Sequence, residues 1–166
     1  MELDEIDHRI LSELQRDARA SMSAVARVAH ISRASAYARV NKLVEAGVIT
    51  GFSARVDPVR AGLHSSAYVT LAVDQGPWQD LRARLIEIPE VAHIALVGGE
   101  VDLLLLVRAR DNHDLRRVVL EQLQSIPSVR STKTWLIFED FDPSDERTAK
   151  LESVKAEPVE AVSVDA

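Results

Sequence analysis

Residues 32–42 are rich in hydrogen-bonding side chains and free of acids. Hydroxyl and amide groups can read base edges, whereas guanidinium and ammonium groups contact phosphate oxygens. The first acid after this stretch is Glu45, so repulsion of a polyanion is low. The stretch is therefore predicted to contact double-stranded DNA, with serine, tyrosine and asparagine at the bases and the cations at the phosphates. The candidate residues are Ser32, Arg33, Ser35, Tyr37, Arg39, Asn41 and Lys42.

A helix over residues 33–46 would present most of these side chains on one surface. At about 100° per residue, its apolar positions fall together and are predicted to face a core. These positions are Ala36, Val40 and Leu43. Ala34, Ala38 and Asn41 then point outward, and small side chains there allow a close approach to base edges.

Two further helices are predicted before this one, of which the second is short. Asp4 can cap a first helix, because apolar residues recur behind it at positions 6, 10, 11 and 14. A second helix begins at Ser21 or Ser23, and residues 30–32 form a tight turn in which Ser32 caps the third helix. Gly47 stands where helices commonly end. Three helices with a brief turn between the second and third indicate a helix-turn-helix.

An internal repeat organises the second half of the chain. Residues 85–91 and 123–129 share the pattern Leu-x-x-Ile-Pro-x-Val, and the two copies are 38 residues apart. Each copy comprises a strand, an amphipathic helix, an Ile-Pro stop and a second strand. Two copies predict a ferredoxin-like β-α-β-β-α-β domain with both helices on one face of the sheet. The other face would carry apolar residues from 101–107 and 135–138, which favours self-association.

The connection Val97-Gly98-Gly99-Glu100-Val101-Asp102 lies between the two copies. Paired glycines leave backbone amides accessible, and Glu100 and Asp102 could hold the amino group of a small zwitterion. A glycine-bearing hairpin turn with solvated acids would have the same sequence. The spacing alone leaves both interpretations open.

Composition limits the classes of protein to which the chain can belong. It has 166 residues, no cysteine and no apolar run of the roughly 20 residues that span a membrane. The formal charge of −6 is uneven, because residues 19–55 carry +5 and residues 139–166 carry −6. A polyanion responds to the local patch, so the overall sign does not exclude DNA. A cytoplasmic location is expected, since the acidic start lacks a secretory signal.

The sequence resembles the Lrp/AsnC family, also called feast/famine regulators, from about Leu3 to Phe141. The resemblance rests on four motifs taken together: Leu3-Asp4-x-x-Asp7-x-x-Ile10-Leu11-x-x-Leu14-Gln15, Ile31-Ser32 to Gly47-Val48-Ile49, Gly99-Glu100-Val101-Asp102, and the segment from Thr134-Trp135 to Asp140. It implies a dimer built through the effector-domain sheets, joining into tetramers or octamers. It also implies an effector, usually an amino acid or related metabolite, bound where dimers meet. The implied effector residues are Val97, Gly99, Glu100, Asp102, Asn112, Trp135, Leu136 and Ile137.

The expected fold class is α+β, with a winged-type helix-turn-helix three-helix domain joined to a ferredoxin-like βαββαβ effector and dimerisation domain. The expected boundaries are 1–50 for the DNA-binding domain, 51–64 for a linking strand and hinge, and 65–142 for the effector domain. Residues 143–166 are expected to form an acidic, disordered tail, with a short helix possible near 144–154. The linking strand is expected to start near Val48 and to reach Val56.

Three alternatives accompany this interpretation. Arg39 could anchor an acid of the first helix instead of contacting phosphate. An enzyme related to tetrapyrrole decarboxylases would need a catalytic histidine, but the five histidines show no metal-ligand spacing and belong to no nucleophile motif. A sensing module that no longer binds DNA is disfavoured by the basic stretch. The expectation is therefore a transcriptional regulator with no catalytic residue, metal or cofactor and no membrane partner.

Overall fold

Residues 2–74, 76 and 78–140 are described by the computed structural model of the chain. They fall into two units, of which the first ends at Arg55 and the second begins at Val56. The expected acidic tail, including the possible helix near 144–154, lies outside the described residues. No helix in the described part is long and apolar enough to cross a membrane.

The first unit contains helices α1 (Glu5–Arg16), α2 (Met22–Ala29) and α3 (Arg33–Glu45). Each begins at a side chain that accepts a hydrogen bond from the first turn: Asp4, Ser21 and Ser32. Ser21, not Ser23, therefore caps α2. Such caps typically contribute about 1 kcal/mol each, because they satisfy an amide that the helix leaves unpaired.

The turn between α2 and α3 is as short as predicted. His30 adopts a left-handed conformation with φ 57°, and the Ile31 amide donates to the Ala26 carbonyl over 3.0 Å. Gly47 ends α3 with φ 71°, where a residue with a Cβ would be strained. The helix-turn-helix predicted from the sequence is confirmed.

A small apolar core holds the three helices together. Ala36, Val40 and Leu43 of α3 are buried, as their spacing predicts. They belong to one cluster with fully buried Ile10 of α1 and Val25 of α2. The opposite side of α3 is consequently the side that is exposed.

The strand expected from Val48 to Val56 is not formed. Residues 50–57 have no regular secondary structure, and turns follow at 58–62. The prediction was wrong for the single chain because a strand needs a neighbour to pair its backbone groups. Every strand-to-strand pairing among the described residues lies within the four-stranded sheet of the second unit.

The second unit alternates strands and helices in the order that the repeat predicts. Its elements are β1 (Ser65–Val73), α4 (Trp78–Ile86), β2 (Val91–Leu96), β3 (Leu103–Ala109), α5 (Asn112–Arg117), which continues as a π-helical segment (Val118–Leu123), and β4 (Val129–Ile137). The strands are antiparallel and ordered β2-β3-β1-β4. This is the ferredoxin-like arrangement.

The two sheet faces differ sharply in burial. Val69, Leu71, Leu103, Leu105 and Val107 are fully buried and belong to one cluster with residues of both helices. The opposite face, hereafter the open face, carries Tyr68, Leu104, Leu106 and Trp135. Tyr68 is 42% exposed and Trp135 is 50% exposed. The sequence prediction of an apolar uncovered face therefore holds for alternate residues only, because successive side chains of a strand point to opposite faces.

Candidate nucleic-acid interface and effector site

The outward face of α3 matches the surface predicted from periodicity. Ala34, Ala38 and Asn41 are exposed, and so are their neighbours Ser35 and Lys42. Tyr37 is 57% exposed. The small side chains of the two alanines at the centre allow α3 to approach base edges in a DNA groove closely. The polar groups at the sides can donate and accept hydrogen bonds there.

Ser32 and Ser35 interact with each other at the start of α3. The Ser32 hydroxyl oxygen accepts from the Ser35 amide over 3.1 Å, and the two hydroxyl oxygens lie 2.8 Å apart. Ser32 thus has a capping role that its sequence position predicts. Ser35 remains exposed and available to a partner.

The three cations of α3 have different surroundings. Arg39 Nη1 donates to Asp4 Oδ2 over 2.8 Å and to Asp7 Oδ1 over 2.7 Å. Arg33 and Lys42 are exposed, and within the described part of the chain they form no ion pair. The anchor interpretation of Arg39, which the sequence left open, is the one that the geometry favours. Arg33 and Lys42 retain the surroundings expected of phosphate contacts.

The Val97–Asp102 connection is ordered by backbone and side-chain hydrogen bonds. The Val97 amide donates to the Asp102 carbonyl over 3.0 Å, and the Asp102 amide donates to the Leu71 carbonyl over 2.9 Å. Asp102 Oδ2 accepts from the Val73 amide over 2.8 Å. Gly99 has φ 135°, which favours glycine, and both Gly99 and Glu100 are exposed. Asp102 therefore joins the start of β3 to the end of β1.

The remaining predicted effector residues lie at or beside the opposite end of the sheet. Asn112 begins α5, and its Oδ1 accepts from the Ser65 hydroxyl over 2.7 Å. Ile137 pairs with Ser66 at the same end of β1, followed inward by Leu136 and Trp135. The seven residues of β3, about 20 Å of strand, separate this end from Asp102. A single chain therefore brings Val97, Gly99, Glu100 and Asp102 together in one connection. The other four predicted effector residues stay at or beside the opposite end of the sheet.

A cavity of about 380 Å³ adjoins Asp102 on the helix side of the sheet. Its apolar lining includes Trp78, Leu81, Leu96, Leu103 and Ile126. Asp74, Asp80, Asp102 and Arg84 supply charges of both signs. Trp78, Asp80 and Arg84 are not among the effector residues predicted from the sequence. The available signal for Trp78 and Arg84 was that each lies three residues from Leu81, which places the three side chains on one side of α4.

Comparison with known families covers both units. The profile described as winged helix-turn-helix DNA-binding matches residues 3–50, and the profile described as the Lrp/AsnC ligand binding domain matches residues 66–146. A regulator from Mycolicibacterium smegmatis, AldR, is 38% identical over 141 residues, which are 83% of this chain and 82% of that protein. The chain belongs to the Lrp/AsnC family of transcriptional regulators.

Solved structures of other Lrp/AsnC proteins agree in fold. The leucine response regulatory protein of Mycobacterium tuberculosis is 33% identical with a TM-score of 0.75, covering 86% of this chain and 97% of that one. Escherichia coli AsnC gives a TM-score of 0.76 at 24% identity, covering 84% and 95%. Membership of this family, which rests on both matched profiles and on the similarity to AldR, makes the chain a DNA-binding regulator with a ligand-binding domain, and not an enzyme. No group of acids and histidines in the described residues is arranged to hold a metal ion.

Proposed function

We propose that this regulator senses an amino acid or a related small metabolite through the cavity beside Asp102. The observation that carries the proposal is the composition of that cavity, whose lining is largely apolar but also includes aspartate carboxylates and one guanidinium. Its volume of about 380 Å³ lies within the range of small-molecule sites. An amino acid has the complementary parts: an ammonium, a carboxylate and a side chain.

Charge complementarity suggests an orientation for such a ligand. Arg84 suits the carboxylate, since a guanidinium can donate two parallel hydrogen bonds. Asp80 and Asp102 suit the ammonium, and Asp102 is already oriented by the Val73 amide. Trp78 and Leu81 offer apolar contact to the side chain. Names of relatives support the class: one is the leucine response regulatory protein, and another, 34% identical, is the proline dehydrogenase transcriptional activator of Rhodobacter capsulatus.

Titration of the full chain with each common amino acid tests this proposal by calorimetry. We expect one or a few to bind, and Arg84→Met to weaken binding by about 10-fold or more, as the loss of a charge-assisted hydrogen bond predicts. Arg82→Met is the matched control, because Arg82 is exposed on the same helix and does not line the cavity. Equal binding by the wild type and Arg84→Met would contradict this location.

We further propose that two copies associate through their open faces. Tyr68 is 42% exposed and Trp135 is 50% exposed, and they share the open face with Leu104 and Leu106. A contiguous exposed apolar patch on a protein surface typically marks a site of protein association. A dimer of this kind would present two α3 helices to successive major grooves, about 34 Å apart.

An aspartate at Leu106 is expected to convert the oligomer to monomers, because a charge buried between two apolar faces is strongly unfavourable. Sedimentation velocity measures the change. Leu120→Asp is the control, since Leu120 is 42% exposed on the π-helical segment and not on the open face. A Leu106→Asp protein that sediments like the wild type would rule out this interface.

A further inference from the structure

We propose that Arg39 is a positioning residue that tethers the recognition helix α3 to the start of α1 and contributes to DNA binding without contacting phosphate. The proposal concerns the DNA-binding unit alone and does not depend on the effector proposed above. It assigns to Arg39 a role different from those of Arg33 and Lys42.

The tether is built into the cap of α1. The Asp7 amide donates to Asp4 Oδ1 over 2.8 Å, and the Asp4 amide donates to Asp7 Oδ2 over 3.2 Å. Each carboxylate thus uses one oxygen in this reciprocal cap and directs its other oxygen to Arg39 Nη1. The same pair of acids therefore begins α1 and holds α3.

Charge and burial both oppose a phosphate contact at Arg39. Two carboxylates within 2.8 Å of one guanidinium nitrogen give the trio a net charge of −1. The Asp7 amide, and after it the Arg39 guanidinium, lower the pKa of Asp4, so this carboxylate stays ionised at neutral pH. The Asp7 side chain is only 7% exposed. Drawing Arg39 toward DNA would leave that buried carboxylate without its cation, which is unfavourable.

The position of Arg39 on α3 explains why a tether matters for binding. Arg39 directly follows Ala38, which lies on the outward face, and directly precedes Val40, which is buried. It sits on the boundary between the core and the outward face. A polar contact there restrains how α3 rotates and tilts relative to α1. Direct readout tolerates little such motion, because hydrogen bonds to base edges depend on orientation.

The Asp4→Asn/Asp7→Asn double variant distinguishes a tether from a purely electrostatic role, because the two roles predict opposite changes in DNA affinity. Removing two acids beside a DNA-binding helix, and releasing a cation, would strengthen binding if electrostatics alone mattered. The tether predicts weaker binding, by about 10-fold or more, although the protein has become more basic. Asparagine preserves the α1 cap, because it is as good an N-cap as aspartate. Affinity is measured by fluorescence anisotropy on a bound genomic fragment, and circular dichroism confirms that the helices are retained.

The salt dependence of binding provides the second readout. For Arg39→Met we expect a similar loss of affinity, with the slope of log affinity against log salt unchanged. Lys42→Met is the control, and its slope should fall by about 0.9, the value for one lost phosphate contact. The proposal is overturned if the double variant binds more tightly, if Arg39→Met lowers the slope as Lys42→Met does, or if folded Arg39→Met binds as the wild type does. If the double variant does not fold, the single variant Asp4→Asn is measured instead. Weaker DNA binding then supports the tether, and tighter binding overturns it.

Discussion

Replacing Ala38 by glutamate is expected to reduce DNA affinity by at least about 100-fold while the helix-turn-helix stays folded. Ala38 is exposed at the centre of the outward face of α3, beside Tyr37, Asn41 and Lys42. A glutamate there would prevent α3 from approaching the base edges closely, and its negative charge would repel the DNA phosphates. Each base contact that is lost costs about 1–3 kcal/mol, so the loss of two accounts for the expected effect.

A matched variant separates position from charge. Ala18 is also exposed in the first unit but lies in the turn after α1, and Ala18→Glu adds the same charge. We expect Ala18→Glu to change affinity by only a few-fold, through long-range repulsion that salt screens. Anisotropy titrations at two salt concentrations compare the variants. A38E binding within a few-fold of the wild type would mean that α3 does not enter the groove by this face.

Replacing Asp114 by asparagine is expected to lower the thermal midpoint of the second unit by several degrees at pH 7. The buried Asp114 carboxylate accepts from Arg110 Nε over 3.0 Å and from Arg117 Nε and Nη2 over 3.0 and 2.7 Å. Arg117 Nη2 also donates to Glu90 Oε1 over 2.6 Å. This network joins α5 to the residue that precedes β2, and an amide cannot balance two guanidinium groups.

The effect of Asp114 has a defined pH dependence. Hydrogen bonds from Arg110 and then Arg117 hold the pKa of Asp114 far below its ordinary value of 3.8. A pKa that is lowered by folding stabilises the folded state above the unfolded-state pKa, and this contribution declines as pH falls through the folded-state value. The gap between the wild type and D114N should therefore be constant from pH 7 to about 5 and shrink below about 4.

Thermal scans across this pH range provide the measurement. Asp74→Asn is the control, because Asp74 is 63% exposed and lies 3.4 Å from Arg130. Exposed ion pairs contribute little, so D74N should leave the midpoint nearly unchanged at every pH. A gap for D114N that does not narrow in acid would show that ionisation of Asp114 is not what stabilises the network.

The three helices of the first unit could be predicted because their signals are local. Caps at Asp4 and Ser32, and a left-handed end at Gly47, each depend on residues within one helical turn. The role of Arg39 could not be decided in the same way. Its partners Asp4 and Asp7 are 35 and 32 residues away, and sequence spacing does not report such contacts.

The strand predicted near 48–56 was wrong although its sequence signal is local. The residue types of this segment are a local signal, but a strand forms only where a second strand pairs with it. Among the described residues of the single chain, no second strand pairs with 48–56. The repeat succeeded where this segment failed, because its two copies supply each other's strands: β1 pairs with β3 throughout Ser65–Leu71.

By itself, the sequence determined the class of protein: periodicity, caps, the basic stretch and the 38-residue repeat sufficed for a helix-turn-helix joined to a ferredoxin-like domain. These features survive because helical periodicity and capping act over a few residues. Only the tertiary structure decided that Arg39 contacts Asp4 and Asp7, that Asp102 and Asn112 lie at opposite ends of β3, and that Trp78 and Arg84 share a cavity with Asp102. Strand register and helix packing bring distant residues together, and they depend on the whole core and not on any segment of the chain.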